Sequence, residues 1–280
     1  MRTTVKNTLT SVLAICFLIL FSAGVHGQDG DGDSTPNILV ELAFMKSKNS
    51  SYLDVEQKMW KAIHQERINQ GKLTAWYLMA VRYPQGTETM YDYITVNVYD
   101  NPKDQLKNPM DGLSDMIKKV HPDVDQDEFW TKTIESRDMK WVGLWAFLDE
   151  AVPGPSDPSD FIRINFFTVE EGMYQDYVQM EREIFKPLHK AAAEAGARKD
   201  WTLWQKISPT GTAHGTTHIT VDSYGTWEEW NSDGVDLNEL FKKVHPDKNQ
   251  DEVWEKMAKL RSTTRSETWQ LVDYVNSKTE

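Results

Sequence analysis

Two stretches of the sequence, KKVHPDVDQDEFW at residues 118–130 and KKVHPDKNQDEVW at residues 242–254, are nearly the same and lie 124 residues apart. The correspondence continues on both sides of them. Corresponding pairs, at an offset of 124 or 125, are Glu56 and Glu181, His64 and His189, Gly71 and Gly196, Trp76 and Trp201, Arg137 and Arg261, and Trp145 and Trp269. So long a match with one residue of slippage indicates a duplicated unit, and the fold has to be read one repeat at a time.

The second stretch contains His245-Pro246-Asp247 after a basic helix, and this is similar to the loop with which J-domain co-chaperones stimulate Hsp70. The first repeat has the same triplet, so the segment belongs to a repeated scaffold. The chain is also predicted to be exported, away from a cytosolic Hsp70. We therefore reject the co-chaperone interpretation. The proline ends the preceding helix, and Asp125 and Asn249 are predicted to cap the next one.

Each repeat has the element order β-α-β-β-α-β, which is the split βαβ unit of ferredoxin-like domains. Runs rich in β-branched and aromatic residues predict the strands, and apolar residues at i, i+4 and i+8 predict the helices. The predicted strands are 37–45, 73–83, 92–98 and 140–148 in the first repeat, and 161–169, 201–208, 217–221 and 268–275 in the second. The first helices are predicted at 52–69 and 174–195.

Two such units, together with a Glu-x3-aromatic-x3-His…Gly…Trp pattern in each, resemble the dimeric α/β-barrel superfamily in a fused two-repeat form. The pattern, carried by Glu56-Trp60-His64 and Glu181-Phe185-His189, is similar to that of the NIPSNAP-like branch. The resemblance covers residues 37–275 and implies two antiparallel sheets that pack as one intramolecular barrel with helices outside. The superfamily includes haem-degrading monooxygenases, chlorite dismutases, polyketide-modifying enzymes and proteins without known activity, and fold does not choose among them.

The two ends of the chain and its middle give the predicted domain boundaries. Residues 1–27 have a basic start and an apolar run, as in a secretory signal peptide, and an acidic, glycine-rich tether follows at 28–36. Repeat 1 is predicted at 37–150, a Pro/Ser/Asp linker at 151–160 and repeat 2 at 161–280. We expect an exported protein, periplasmic or secreted, with a transmembrane anchor as the alternative for the apolar run.

Charge and cysteine content exclude several classes of function. The net charge of −12 argues against binding nucleic acid or, once the signal is removed, an anionic membrane. The single cysteine, Cys16, lies within the predicted signal, so we expect no disulfide, no thiolate metal site and no cysteine nucleophile in the mature chain. We predict no metal site, and the sequence leaves the cofactor open.

Histidines are the candidates for catalysis. His64 and His189 each follow a glutamate at helical spacing, so the glutamate could orient the histidine as a general base. Because both repeats retain the trio, a structural ion pair is favoured over a catalytic role. His218 takes the place of Tyr93 in the other repeat, and such asymmetry is expected of a single site as well as of drift. Arg137 and Arg261 could clamp a carboxylate, but we expect each to pair with an acidic side chain nearby, such as Glu135 or Asp138.

The aromatic content supplies the candidate ligand contacts. Tryptophans concentrate on strands, and Trp141, Gly143 and Trp145 share one face of their strand. The predicted ligand-binding residues are Trp76, Tyr93, Trp145, Trp201, His218 and Trp269. They suggest a small apolar or aromatic ligand, which the protein binds or modifies in a barrel cavity. The alternatives are that tryptophans fill the barrel as core, or that the protein is a non-catalytic structural or stress-associated binder. A fused barrel is consistent with a monomer, although the oligomeric state stays open.

Overall fold

The computed structural model describes residues 38–154, 157–232 and 234–277. The predicted signal peptide at 1–27 and tether at 28–36 lie outside the described residues. The strands of the first repeat are β1 (Leu39–Ser47), β2 (Ala75–Tyr83), β3 (Tyr93–Tyr99) and β4 (Arg137–Glu150), and those of the second are β5 (Phe161–Val169), β6 (Asp200–Ser208), β7 (His218–Tyr224) and β8 (Arg261–Asn276).

Helices connect these strands on the outside. In repeat 1 they are α1 (Tyr52–Asp54), a π-helical segment π1 (Val55–Trp60), α2 (Lys61–Asn69), α3 (Pro102–Gln105), α4 (Leu113–Val120) and α5 (Gln126–Ser136). In repeat 2 they are α6 (Tyr174–Met180), π2 (Glu181–Phe185), α7 (Lys186–Glu194), α8 (Trp227–Asn231), α9 (Leu237–Val244) and α10 (Gln250–Leu260). Both repeats therefore have the predicted order of elements.

The eight strands form one closed antiparallel barrel in the order β1-β3-β2-β8-β5-β7-β6-β4. The predicted fold, two tandem ferredoxin-like repeats that make an intramolecular α/β barrel, is confirmed. Closure leaves none of these strands with an unpaired edge. The described residues of both repeats belong to one compact unit.

The long last strand of each repeat closes the barrel. The first part of β4 pairs with β1 of its own repeat, and its last residues pair with β6 of the other repeat. In the same way β8 pairs first with β5 and then with β2. The predicted strands at 140–148 and 268–275 were too short, because β4 and β8 begin directly at Arg137 and Arg261, where the preceding helices end.

The alternation of side chains along the strands produces two separate apolar layers. One layer is the barrel interior, which includes Val40, Leu42, Phe44, Met79, Ile164, Phe166, Trp145 and Trp269. The other layer lies between the sheet and the outer helices, for example Trp76 with Tyr52 in repeat 1 and Trp201 with Tyr177 in repeat 2. Successive residues of a strand therefore face the barrel interior and the outer helices in turn.

The repeated His-Pro-Asp segment has a structural use in both repeats. A π-helical turn leaves backbone carbonyls without their usual α-helical partners. The Nε2 atom of His121 donates to the carbonyl oxygen of Met59 in π1 at 2.9 Å, and that of His245 donates to Ile184 in π2 at 2.9 Å. Each histidine thus ties the helix end before the proline to an irregular turn on the neighbouring helix.

The predicted helix caps are present after this segment. The side chain of Asp125 accepts from the backbone N–H of Asp127 at 2.8 Å, and that of Asn249 accepts from Asp251 at 3.0 Å. Each bond satisfies a donor that the first turn of a helix leaves free. Helix capping and the contact with the π turn account for a segment that, alone, resembles a co-chaperone loop.

Candidate functional site

A cavity of about 280 Å³ opens at one end of the barrel. It lies where β1, β2, β5 and β6 end and where β3, β4, β7 and β8 begin. Its lining residues are Phe44, Val81, Pro84, Thr89, Met90, Tyr91, Trp141, Phe166, Lys206, His214, Thr216, Arg265 and Glu267. The lining is largely apolar with a few convergent polar groups, which is the usual composition of a small-molecule site.

Repeat 1 supplies an aromatic wall to this cavity. The ring of Trp141 lies 4.7 Å from that of Phe44, and Tyr91 meets Phe44 edge-on at 4.7 Å. Gly143 makes room for the indole, because a Cβ atom at this position would lie 2.6 Å from the ring of Trp141. The predicted shared face of Trp141, Gly143 and Trp145 is thus the interior face.

Repeat 2 supplies charged groups at the equivalent positions. Lys206 takes the place of Val81, and Arg265 takes the place of Trp141. Glu267 corresponds to Gly143. The duplicated scaffold is therefore chemically asymmetric at this end of the barrel, with rings from one repeat facing ions from the other.

Glu267 is the centre of a hydrogen-bond network in the cavity wall. Its carboxylate accepts from Arg265 Nε at 2.7 Å and from Trp269 Nε1 at 2.8 Å, and it also accepts from the hydroxyl of Tyr91. Glu267 is 5 % exposed, so these donors replace its hydration. Burial is the main cause that raises the pKa of Tyr91, which stays protonated at neutral pH.

Lys206 is a buried cation in the cavity wall. Only 5 % of it is exposed, and its ammonium donates to the carbonyl oxygen of His214 at 3.0 Å. It lies 5.3 Å and 5.6 Å from the ring centroids of Trp141 and Trp145, close enough for cation–π attraction. Burial, helped by the neighbouring Arg265, lowers the pKa of Lys206 to about 8.

The predicted ligand-binding tryptophans divide between the two layers. Trp145 and Trp269 belong to the barrel interior. Trp76 and Trp201 do not: each lies under the helices, where it stacks on a histidine. The ring of His64 is 5.0 Å from Trp76 and that of His189 is 4.8 Å from Trp201, so the expectation that these two tryptophans line the interior is wrong.

Tyr93 and His218 also face the helices. Tyr93 packs against Tyr52 at 4.7 Å, and His218 against Tyr177 at 4.9 Å. Burial lowers the pKa of His218 to about 4, which keeps its imidazole neutral. The asymmetry at this pair of positions therefore lies in the helix–sheet layer, on the side of the sheet away from the cavity.

The glutamate of each trio is bound to an arginine and not to the histidine. Glu56 pairs with Arg137, and Glu181 lies 3.6 Å from Arg261. The expected acid partners of Arg137, Glu135 and Asp138, were wrong, because the arginine turns inward at the start of β4. The four ion-pair residues are buried or nearly so, which agrees with the favoured structural interpretation.

The histidines of the trios have arginine neighbours of their own. His64 Nδ1 lies 3.3 Å from Arg67, and His189 Nδ1 lies 2.6 Å from Arg198. Burial and the adjacent arginine lower the pKa of each histidine well below its ordinary value. A histidine in this state makes a weak base, and neither ring reaches the cavity, so the structure separates both from the candidate site.

Neither a metal-binding cluster nor a membrane-spanning helix is found in the part of the chain that the structure describes. No group of three or more His, Cys, Asp or Glu side chains there is arranged to hold a metal ion. His214 lines the cavity, whereas His218 lies on the helix side of the sheet. Over the same residues, no helix is long and apolar enough to cross a bilayer.

The main polar residues of the cavity were not predicted from the sequence. Lys206, Arg265, Glu267 and Tyr91 lie on strands or beside them and belong to no recognised motif. A signal was present: at the aligned interior positions a valine, a tryptophan and a glycine of one repeat are replaced by three ions in the other. An ion at a position that its own duplicate fills with an apolar residue is a reason to expect a site.

Comparison with known proteins finds similarity in structure and none in sequence. No model of a protein family matches the sequence, and no curated protein does. The chain is similar to a candidate monooxygenase from Lactobacillus acidophilus (TM-score 0.49, 11 % identity, 86 % of this chain and 96 % of that one). It is also similar to an anthrone oxidase-like protein (0.47, 8 %, 88 % and 95 %) and to a haem-binding protein from Thermus thermophilus (0.43, 12 %, 85 % and 92 %). At these values the likeness says nothing about activity.

Proposed function

We propose that the protein binds a small aromatic molecule carrying a hydrogen-bond-accepting oxygen, in the cavity at the end of its barrel. The observation that carries the proposal is the asymmetry of the lining, in which rings from repeat 1 face Lys206 and Arg265 from repeat 2. An aromatic ring fits between Phe44, Trp141 and Phe166. The ammonium of Lys206 donates to the carbonyl oxygen of His214, and a carbonyl or carboxylate oxygen of the ligand would accept a second hydrogen bond from it.

The volume of the cavity limits the ligand to about one or two rings. Its 280 Å³ lies at the lower end of the roughly 300–1,000 Å³ found for ligand pockets. Haem exceeds this volume, and His64, His189 and His218 face the helices, so His214 is the one histidine among the residues that line the cavity. Lys206 and the hydrogen-bonded pair of Tyr91 and Glu267 are groups that can exchange protons with a ligand. Chemical modification of the ligand is therefore the second candidate function.

Other parts of the proposal rest on the sequence. We propose that residues 1–27 direct export and are removed, and that the chain belongs to the NIPSNAP-like branch of its superfamily on the strength of the two trios. We also propose a monomer, since the barrel closes within one chain. A native mass spectrum of the protein from its own host tests cleavage, oligomeric state and any retained ligand together.

Binding is tested with 2-naphthoate and 2-methylnaphthalene, followed by tryptophan fluorescence and calorimetry. We expect both probes to bind at one site per chain. Lys206→Met should weaken 2-naphthoate at least tenfold and change the affinity of 2-methylnaphthalene little, since only the former presents oxygens to the ammonium. Trp76→Phe, in the helix–sheet layer, is the matched control and should change neither. Absence of binding by both probes would refute the proposal.

A further inference from the structure

We infer that Lys206 is a nucleophile that forms an imine with an aldehyde or ketone group of the molecule bound in the barrel cavity. The inference rests on the proposed function and deepens it, because it assigns the ligand a carbonyl group and the lysine a covalent role. It concerns Lys206 alone among the lysines of the described residues, since this is the one lysine in the cavity lining.

The position of Lys206 in the cavity supports its role as a nucleophile. Lys206 lies near the end of β6 with its amino group on the interior side of the barrel, over the rings of Trp141 and Trp145. An ammonium can donate three hydrogen bonds, and among the described residues that of Lys206 donates one, to the carbonyl oxygen of His214. The corresponding residue of repeat 1 is Val81, so the barrel architecture itself does not require a cation here.

The environment of Lys206 also supports its role as a nucleophile. Lysines become nucleophilic when they are desolvated in an apolar pocket or lie beside another cation. Both conditions hold for Lys206, which is 5 % exposed and shares the cavity with Arg265. At pH 8 an amine with a pKa of about 8 is half unprotonated, whereas an ordinary lysine is unprotonated to less than about 1 %.

The step balances within the site. The lone pair of Nζ attacks the carbonyl carbon, and the π electrons of the carbonyl move to its oxygen, which takes up a proton and stays joined to the carbon by a single bond. The carbinolamine then loses its oxygen as water, together with the two hydrogens that the amine gave up, and a C=N bond remains. No oxidant or reductant takes part. Tyr91 and Glu267 line the same cavity and are the groups able to carry these protons.

The experiment is reductive trapping with 2-naphthaldehyde and sodium cyanoborohydride at pH 8, followed by intact mass and peptide mapping. We expect one naphthylmethyl group per chain on Lys206, formed at least tenfold faster than on any other lysine. Bound 2-naphthoate should protect Lys206. The charged and titratable groups that share the cavity lining with the amine are Arg265, Glu267, Tyr91 and His214, so the rate is followed from pH 6 to 10.

Two variants keep the test decisive. Lys206→Met and Lys206→Arg should both lose the fast adduct and keep the slow labelling of surface lysines. A fast adduct that persists in either variant, or labelling spread evenly over the surface, overturns the inference. If 2-naphthoate binds and Lys206→Met weakens it, but no fast adduct forms, the imine is refuted and the proposed binding function stands. If neither probe binds, the proposed function itself fails.

Discussion

Replacement of Lys206 by methionine should make the protein more stable, and by an amount that depends on pH. Burial lowers the pKa of Lys206 from 10.5 to about 8, and at about 1.4 kcal/mol per pH unit this difference limits the cost of the buried charge to about 3 kcal/mol. Methionine keeps the length of the chain and removes the charge, but it loses the bond to His214 and the contacts with two indoles. We therefore expect a net gain of about 1–2 kcal/mol at pH 7.

The sign of the pH dependence follows from proton binding. Between pH 8 and 10.5 the unfolded chain binds the proton of Lys206 and the folded protein does not, so the stability of the wild type rises across this interval. The cost is full below pH 8 and disappears near pH 10.5. The gain from Lys206→Met should accordingly be largest at pH 7, and by pH 10 it should fall to zero or change sign, because the cost of the buried charge has largely gone while the lost contacts remain.

Urea unfolding followed by tryptophan fluorescence at pH 7 and pH 10 measures both quantities. Lys118→Met, at an exposed position on α4, is the control and should give no pH-dependent difference. If Lys206→Met were less stable than the wild type at pH 7, the hydrogen bond and indole contacts of the Lys206 ammonium would stabilise the fold by more than the burial of its charge costs. Such a result would refute a destabilised, reactive amine at this position.

Three further predictions concern the two layers of the fold. Burial raises the pKa of Glu181 to about 7 despite the nearby Arg261. The folded protein therefore binds this proton more tightly than the unfolded chain does, and the free energy of unfolding falls as pH rises from about 4.5 to 7. Glu181→Gln should remove up to about 3 kcal/mol of this fall, as measured by unfolding experiments at several pH values. Burial lowers the pKa of His189 and keeps its imidazole neutral, so the free energy of unfolding falls as pH drops below about 6.5. His189→Phe should reduce this loss in acid-unfolding curves. The same variant should not change the affinity for 2-naphthoate. Gly143→Ala should push the Trp141 ring out of its place, and we expect at least tenfold weaker binding of 2-methylnaphthalene by calorimetry with a far-ultraviolet circular dichroism spectrum like the wild type's.

Much of the fold could be predicted because it depends on patterns that are local or repeated. The π-helical turns were not predicted: π1 and π2 interrupt an apolar periodicity that looks α-helical throughout. Their effect is that Glu56 and Glu181 turn toward arginines of the last strand and away from the histidine of the same trio. A spacing of four residues implies a shared face only while the helix stays regular.

The sequence predicted an apolar and aromatic cavity within the barrel, but none of the six predicted ligand-binding residues is among those that line the described cavity. Trp145 and Trp269 lie in the interior as expected, while Trp76 and Trp201 lie beneath the helices. All four are buried aromatic residues on strands, and the sequence does not distinguish them. The face that a strand residue occupies depends on the register and bulges of its pairing, and β2, β4, β6 and β8 each carry an extra residue at a register shift in these ladders.

The sequence by itself determined the duplication, the order of elements in each repeat and the helix caps, because each follows from residue type and short spacing along the chain. Only the tertiary structure decided where a site lies. Closure of the barrel brings the charged interior positions of repeat 2 opposite the aromatic ones of repeat 1. Lys206 and Trp141 are distant in sequence, and only the pairing of β4 with β6 makes them neighbours.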